Sequence, residues 1–205
     1  MTFSTCKLAC ALLATLALSA CVTLPNSSSQ DNQAELERKS VRLTQTQRGA
    51  MISSDERILF DSNKSEIKPE GQVFLDRVAA ILKEKTKANV IIEGHTDNSG
   101  NTETNLQLSK DRALAVKQAF LTRGLQDARI QTQGFGETRP VADNVAVEGR
   151  QSNRRTEIIV LGESIDKLGG ASLADQLSEG LGRFLKNATA ATGDLINKVK
   201  SSIKK

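Results

Sequence analysis

The chain has 205 residues, is 38% hydrophobic, carries a formal net charge of +4 and contains neither Trp nor Tyr. That leaves room for one domain of ordinary size with an aliphatic core and polar appendages, and it excludes a nucleic-acid binder of the kind that stacks bases on aromatic rings within a basic groove. All three cysteines, Cys6, Cys10 and Cys21, fall in the first twenty-one residues, so the remainder can hold neither an internal disulfide nor a thiolate metal site.

Residues 1–20 join a lone Lys7 to an apolar run, Leu8 to Leu18, too short to span a bilayer, which is the pattern of a signal peptide. Leu18-Ser19-Ala20-Cys21 resembles a bacterial lipobox, which implies that Cys21 becomes an acylated N-terminus; several acyl chains on one residue anchor firmly where one would not. Residues 21–40, with Pro25 and Ser27-Ser28-Ser29 and no periodicity, read as a lipidated tether. Residues 41–54 alternate loosely about Arg48-Gly49 and predict a short hairpin leading into the domain. A short apolar strand is expected over Arg57–Asp61. Next comes a helix, with Pro69 in its first turn and a stripe of Phe74, Leu75, Val78, Ile81 and Leu82, ending near Lys85.

Asn89–His95 predicts a covered strand, continuously apolar at Val90, Ile91 and Ile92. Asn105–Arg123 predicts a second helix, its core face carried by Leu106, Ala113, Val116 and Phe120, stopped by Gly124. Ile130–Phe135 and Arg155–Leu161 read as the last strands, separated by a turn-rich connection containing Pro140 and Gly149. The order β-α-β-α-β-β defines an α+β domain over residues 55–162, a mixed sheet with helices on one face. Residues 163–205 read as an amphipathic tail, Gly-interrupted and ending in lysines, for which a membrane-surface helix, a partner-binding helix and a loosely ordered extension all fit.

The chemistry concentrates between Glu93 and Arg112. A loop leaving the second strand carries Asp97, and the helix that follows carries Asn105, Leu108 and Arg112 on one face at i, i+3 and i+7. One fixed anion beside one fixed cation suits a ligand bearing both charges, such as an amino acid; the plain alternative is a structural ion pair. His95 is the single histidine, so a Ser-His-Asp triad or a zinc site would have to use it, and no second His completes a zinc set. Gly134-Phe135-Gly136 lacks the third glycine of a dinucleotide loop and reads as a turn. No catalytic set, metal or cofactor is expected.

Several pieces recur in order over about a hundred residues: Leu59-Phe60-Asp61, Gly94-His95-Thr96-Asp97, Asn105 with Leu108-Ser109 and Arg112-Ala113, Gly134-Phe135-Gly136 with Pro140, and Asn144 through Gly149-Arg150 to Asn153-Arg154-Arg155. Together they resemble the OmpA-like peptidoglycan-binding domain of OmpA C-terminal regions and Pal-type lipoproteins. The resemblance implies that Asp97 and Arg112 bind the ammonium and carboxylate of diaminopimelate in the peptide stem. It places Phe60 and Asp61 on a strand end against the ligand, Thr96 and Asn105 beside the charges, Leu108 as an apolar wall, and Arg154 as a base approaching the pocket. For Phe60 and Leu108 a core role, for Thr96 and Asn105 a turn or capping role, are the alternatives; Arg155 is expected to face outward or pair with an acid. By analogy with lipoprotein sorting, Val22 in place of Asp favours export to the outer membrane. The expectation is a non-enzymatic lipoprotein linking outer membrane to peptidoglycan. The alternative is a wall-sensing regulatory lipoprotein that sequesters a periplasmic protein partner through residues 41–54 or the tail. A wall hydrolase lacks the acid/base pair or metal set that it would need.

Overall fold

The computed structural model describes residues 40–170 and 172–177. The signal peptide, Cys21, nearly all of the tether, and the tail beyond residue 177 lie outside the described residues. Strands β1 (Val41–Gln45) and β2 (Gly49–Asp55) are followed by helices α1 (Glu56–Leu59) and α2 (Pro69–Glu84), strand β3 (Val90–His95) and helix α3 (Thr102–Thr122). A 3-10 turn at Asp127–Arg129 leads into β4 (Ile130–Gly134), then α4 (Val147–Asn153), β5 (Arg155–Leu161) and α5 (Ile165–Leu168). The five strands form one mixed sheet in the order β1-β2-β5-β3-β4, antiparallel except for the β3–β4 pair.

Period-two alternation divides the sheet's faces. Ile52, Ile158 and Ile92 stand in register across β2, β5 and β3, as do Ala50, Val160 and Val90. This row packs against Phe74, Leu75, Val78 and Leu82 of α2 and Ala113, Val116 and Phe120 of α3 in one core. The α+β class with a mixed sheet is as expected. Pro69 opens α2, and the Asn101 side chain caps α3 by accepting from the Glu103 and Thr104 amides, one turn earlier than the predicted start.

Four expectations change. The strand predicted over Arg57–Asp61 is instead the short helix α1, because the Asp55 carboxylate accepts from the Arg57 amide and caps a helical turn ahead of Ile58 and Leu59. Of the predicted strand, Phe60 keeps only an isolated bridge to Ile67. The hairpin is not an appendage: β2 pairs along its whole length with β5, so it lies inside the sheet. The connection before β5 contains α4, which lacks an apolar stripe to announce it. Past residue 162, Leu168, Leu173 and Leu177 are buried in the same core, so the start of the predicted tail belongs to the domain.

Gly94 and Gly134 set the distance between α3 and the sheet. A Cβ on Gly94 would stand 2.1 Å from the Ser109 carbonyl oxygen, and one on Gly134 would stand 2.4 Å from the Lys110 nitrogen. Only bare backbone admits the helix this close to β3 and β4, and the docked helix presents Arg112 to Glu56 and to the Lys64 carbonyl. No helix among the described residues is long and apolar enough to cross a membrane.

Candidate functional site

The loop that leaves β3 is pinned from both sides. The Thr96 amide donates to the Gly136 carbonyl at 2.9 Å, the Phe135 amide to the Gly94 carbonyl at 3.0 Å, and the Gly136 amide to Ser109 Oγ at 2.8 Å. The Gly-Phe-Gly segment is thus a turn, as expected, and it clasps the Asp97 loop. Asn105 Nδ2 donates to the carbonyls of Asp97 and Ser99 at 3.3 and 3.0 Å and to Glu137 Oε2 at 2.8 Å. These contacts hold the loop in place. Asp97 Oδ1 accepts from the Ser99 amide at 2.9 Å, which turns the carboxylate inward.

Asp97 and Arg112 come to one place but do not pair directly. Arg112, on α3, is buried; its Nε donates to the Lys64 carbonyl at 2.9 Å, its Nη2 pairs with Glu56 Oε1, and its guanidinium lies 5.2 Å from the centre of the Phe60 ring. The partner of Asp97 is Arg154, whose Nη1 contacts Oδ2, while Arg154 Nε meets the second oxygen of Glu56 at 3.0 Å. Four charges, Arg112, Glu56, Arg154 and Asp97, therefore alternate in sign along one line and sum to zero. Burial by itself would raise the Asp97 carboxyl; the Ser99 amide and Arg154 outweigh it and hold the group below its usual value. Burial lowers Arg112, and the Glu56 carboxylate opposes that fall.

The remaining predicted residues divide. Phe60 is buried in the core and forms the floor beneath Arg112. Asp61 is exposed, pairs with Lys64 at 3.3 Å, and offers Arg112 only its carbonyl at 3.5 Å. Leu108 is half-buried on the same helix. The Thr96 hydroxyl is buried and has no hydrogen-bond partner among the described residues. Glu56 was missed altogether. Its one sequence signal was an acid placed directly before an apolar run, and a strand reading gave it no inward direction.

A second charged cluster occupies the opposite face of the sheet. Glu93 stands directly across from Glu157, and the repulsion of that pair is offset by Arg48, which grips Glu93 at 2.6 and 3.2 Å, and by Arg155, which binds Glu157 at 2.6 Å. Arg155 is thus paired with an acid but buried. His95 lies between them, stacked on Phe135 with 5.4 Å between ring centroids, and neither ring nitrogen has a hydrogen-bond partner. Burial first, then the fields of Arg155, Arg139 and Arg48, lower its pKa to about 3. The ligand atoms of Glu93, His95 and Glu157 lie within 4.8 Å of one another. Both carboxylates are already spent on guanidiniums, however, and a potential that repels a proton from His95 repels a metal cation too.

The structure is thus a mixed sheet backed by two helices, with a line of paired charges gathered where the β3 loop and the following helix approach the short helix α1. The chain belongs to the OmpA family, whose model matches residues 59–154. It is 35% identical over 150 residues to the outer-membrane lipoprotein YfiB of Pseudomonas aeruginosa, covering 72% of this chain and 88% of that protein. It is 38% identical over 118 residues to the probable lipoprotein YiaD of Escherichia coli K12, covering 58% of this chain and 54% of YiaD. The chain thus spans about half the length of YiaD and of an outer membrane protein A from Bordetella avium. Among solved structures it resembles the cell wall anchor of the T6SS from Pseudomonas aeruginosa, with TM-score 0.57 and 29% identity over 63% of this chain and 92% of that one. By name these relatives are lipoproteins and outer-membrane proteins.

Proposed function

We propose that this protein is an outer-membrane lipoprotein that holds peptidoglycan non-covalently through the diaminopimelate of its peptide stem, linking the membrane to the wall. The observation that carries the reading is the neutral line of alternating charges at Arg112, Glu56, Arg154 and Asp97. The free end of diaminopimelate bears an ammonium and a carboxylate on one carbon. Its ammonium matches Asp97, and its carboxylate matches guanidiniums that can donate in parallel. The membership of a wall-anchor structure and of outer-membrane lipoproteins among the relatives supports the same reading. Acylation at Cys21 would supply the membrane end, and residues 21–40 the reach between the two.

The test is a titration of the purified protein with a diaminopimelate-containing stem peptide and with its lysine counterpart, which lacks the terminal carboxylate. Selective binding of the first, lost in Asp97→Asn, is the expected result. Equal binding of both, or of neither, would remove the assignment. Residues 41–54 form part of the sheet, and most of the tail lies outside the described residues, so the wall-binding reading is the one argued for.

A further inference from the structure

Arg112 lies on α3 and Arg154 just past the end of α4, and a single carboxylate is held between them. Glu56 Oε1 takes Arg112 Nη2, and Glu56 Oε2 takes Arg154 Nε at 3.0 Å. The backbone adds a further tie, since the Glu56 amide donates to the Arg154 carbonyl at 3.0 Å. A carboxylate shared by two guanidiniums is the arrangement that a ligand carboxylate would adopt at this site. We propose that Glu56 is a built-in occupant of the carboxylate slot, a stand-in that the ligand's own carboxylate must displace, and so a determinant of affinity; this rests on the wall-binding reading above.

Three features support displacement over permanent closure. The slot's outer wall is Arg154, whose side chain is 27% exposed, against 3% for Arg112 and 7% for Glu56. Exchange therefore needs one half-exposed guanidinium to swing and not a core to open. Glu56 is held on α1, a single four-residue turn, and not on a long packed helix. The ligand also brings its own balance: Glu56 stays in the chain when it is displaced, but the incoming carboxylate is matched by an ammonium on the same carbon, so the zwitterion adds no net charge to a line that sums to zero. The affinity it gains is the difference between two similar interactions, which makes the wild-type grip weak and readily reversible.

The experiment uses the full chain purified in detergent, in wild-type, Glu56→Gln and Glu56→Ala forms. Gln keeps the size of Glu but surrenders the charge. Glu56→Gln should bind the diaminopimelate stem peptide about tenfold more tightly than wild type, the change expected when roughly one ion pair of competition is removed. Affinity that stays the same or falls would make Glu56 a positioning residue and overturn the proposal. Glu56→Ala empties the slot, and acetate should raise its melting temperature, or restore its folding, where chloride at equal ionic strength does not, with no such difference in wild type. If no form binds the stem peptide, the wall-binding reading has failed and the acetate arm alone decides: acetate-specific stabilisation sustains a carboxylate slot occupied by Glu56, and its absence removes it.

Discussion

The line of charges at Glu56 and the cluster around His95 contain the same kinds of groups, buried acids matched by arginines, yet they are assembled in different ways. Around His95 the contacts follow from sheet register: Glu93 faces Glu157, His95 faces Arg155, and Arg48 reaches over from the β1–β2 turn. The Glu56 line joins α1, α3, the end of α4 and the β3 loop, elements far apart in sequence. A cluster held by register cannot rearrange without disturbing strands. One held between loops and short helices can exchange partners, and that makes the second the place for a ligand.

Arg112→Ala should test this contrast hardest. It leaves Glu56 buried with half its pairing gone, and breaking a buried pair of this kind costs about 3–5 kcal/mol, so both the urea midpoint and sacculus pull-down should fall. A variant that loses wall binding with an unchanged midpoint would mean that Arg112 is not the structural clamp its contacts describe.

The His95 cluster should show itself through pH. Above the ordinary histidine value of 6.5 the imidazole is neutral in both folded and unfolded chains and contributes nothing; below it only the unfolded chain takes the proton, until the folded group titrates at about 3. Stability should therefore drop by about 2 kcal/mol from pH 7 to pH 5 on this account alone, and urea titrations of His95→Gln should lack that share of the drop. Equal slopes in the two proteins would show that the ring is solvated.

Arg48→Ala removes the bidentate partner of Glu93. Because Arg48 is itself 45% exposed, screening reduces the loss, and a destabilisation of about 1–2 kcal/mol is expected with sacculus binding unchanged. A binding defect here would join the two clusters functionally. The smallest effect belongs to Asp97: its depressed folded value means that its stabilisation is complete above the usual 3.8 and disappears as the pH falls below it. Thermal melts of Asp97→Asn and wild type should then converge only in that acid range.

Much of the fold was legible because the covered elements repeat their period. The stripe from Phe74 to Leu82, the apolar Val90–Ile92 run and the β5 segment all declare the face they bury. The helix α1 was not legible, since four residues carry too little periodicity to separate a helical turn from a strand. Of the site residues expected from the family resemblance, Asp97, Arg112, Arg154 and Asn105 stand on connected contacts in the structure. The role of Glu56 was hidden because its partners lie fifty-six and ninety-eight positions away.

By itself the sequence determined which residue types are available, the order of the longer strands and helices, and the expectation of a lipid anchor at Cys21, since these depend on local pattern and local motif. Only the tertiary structure decided who pairs with whom. Gly94 and Gly134 let α3 descend onto the sheet, and that descent, not any spacing along the chain, assigns Arg112 to Glu56 and leaves Asp97 to Arg154. Ion pairing at a few ångströms is set by how surfaces dock, and no one-dimensional pattern records that distance.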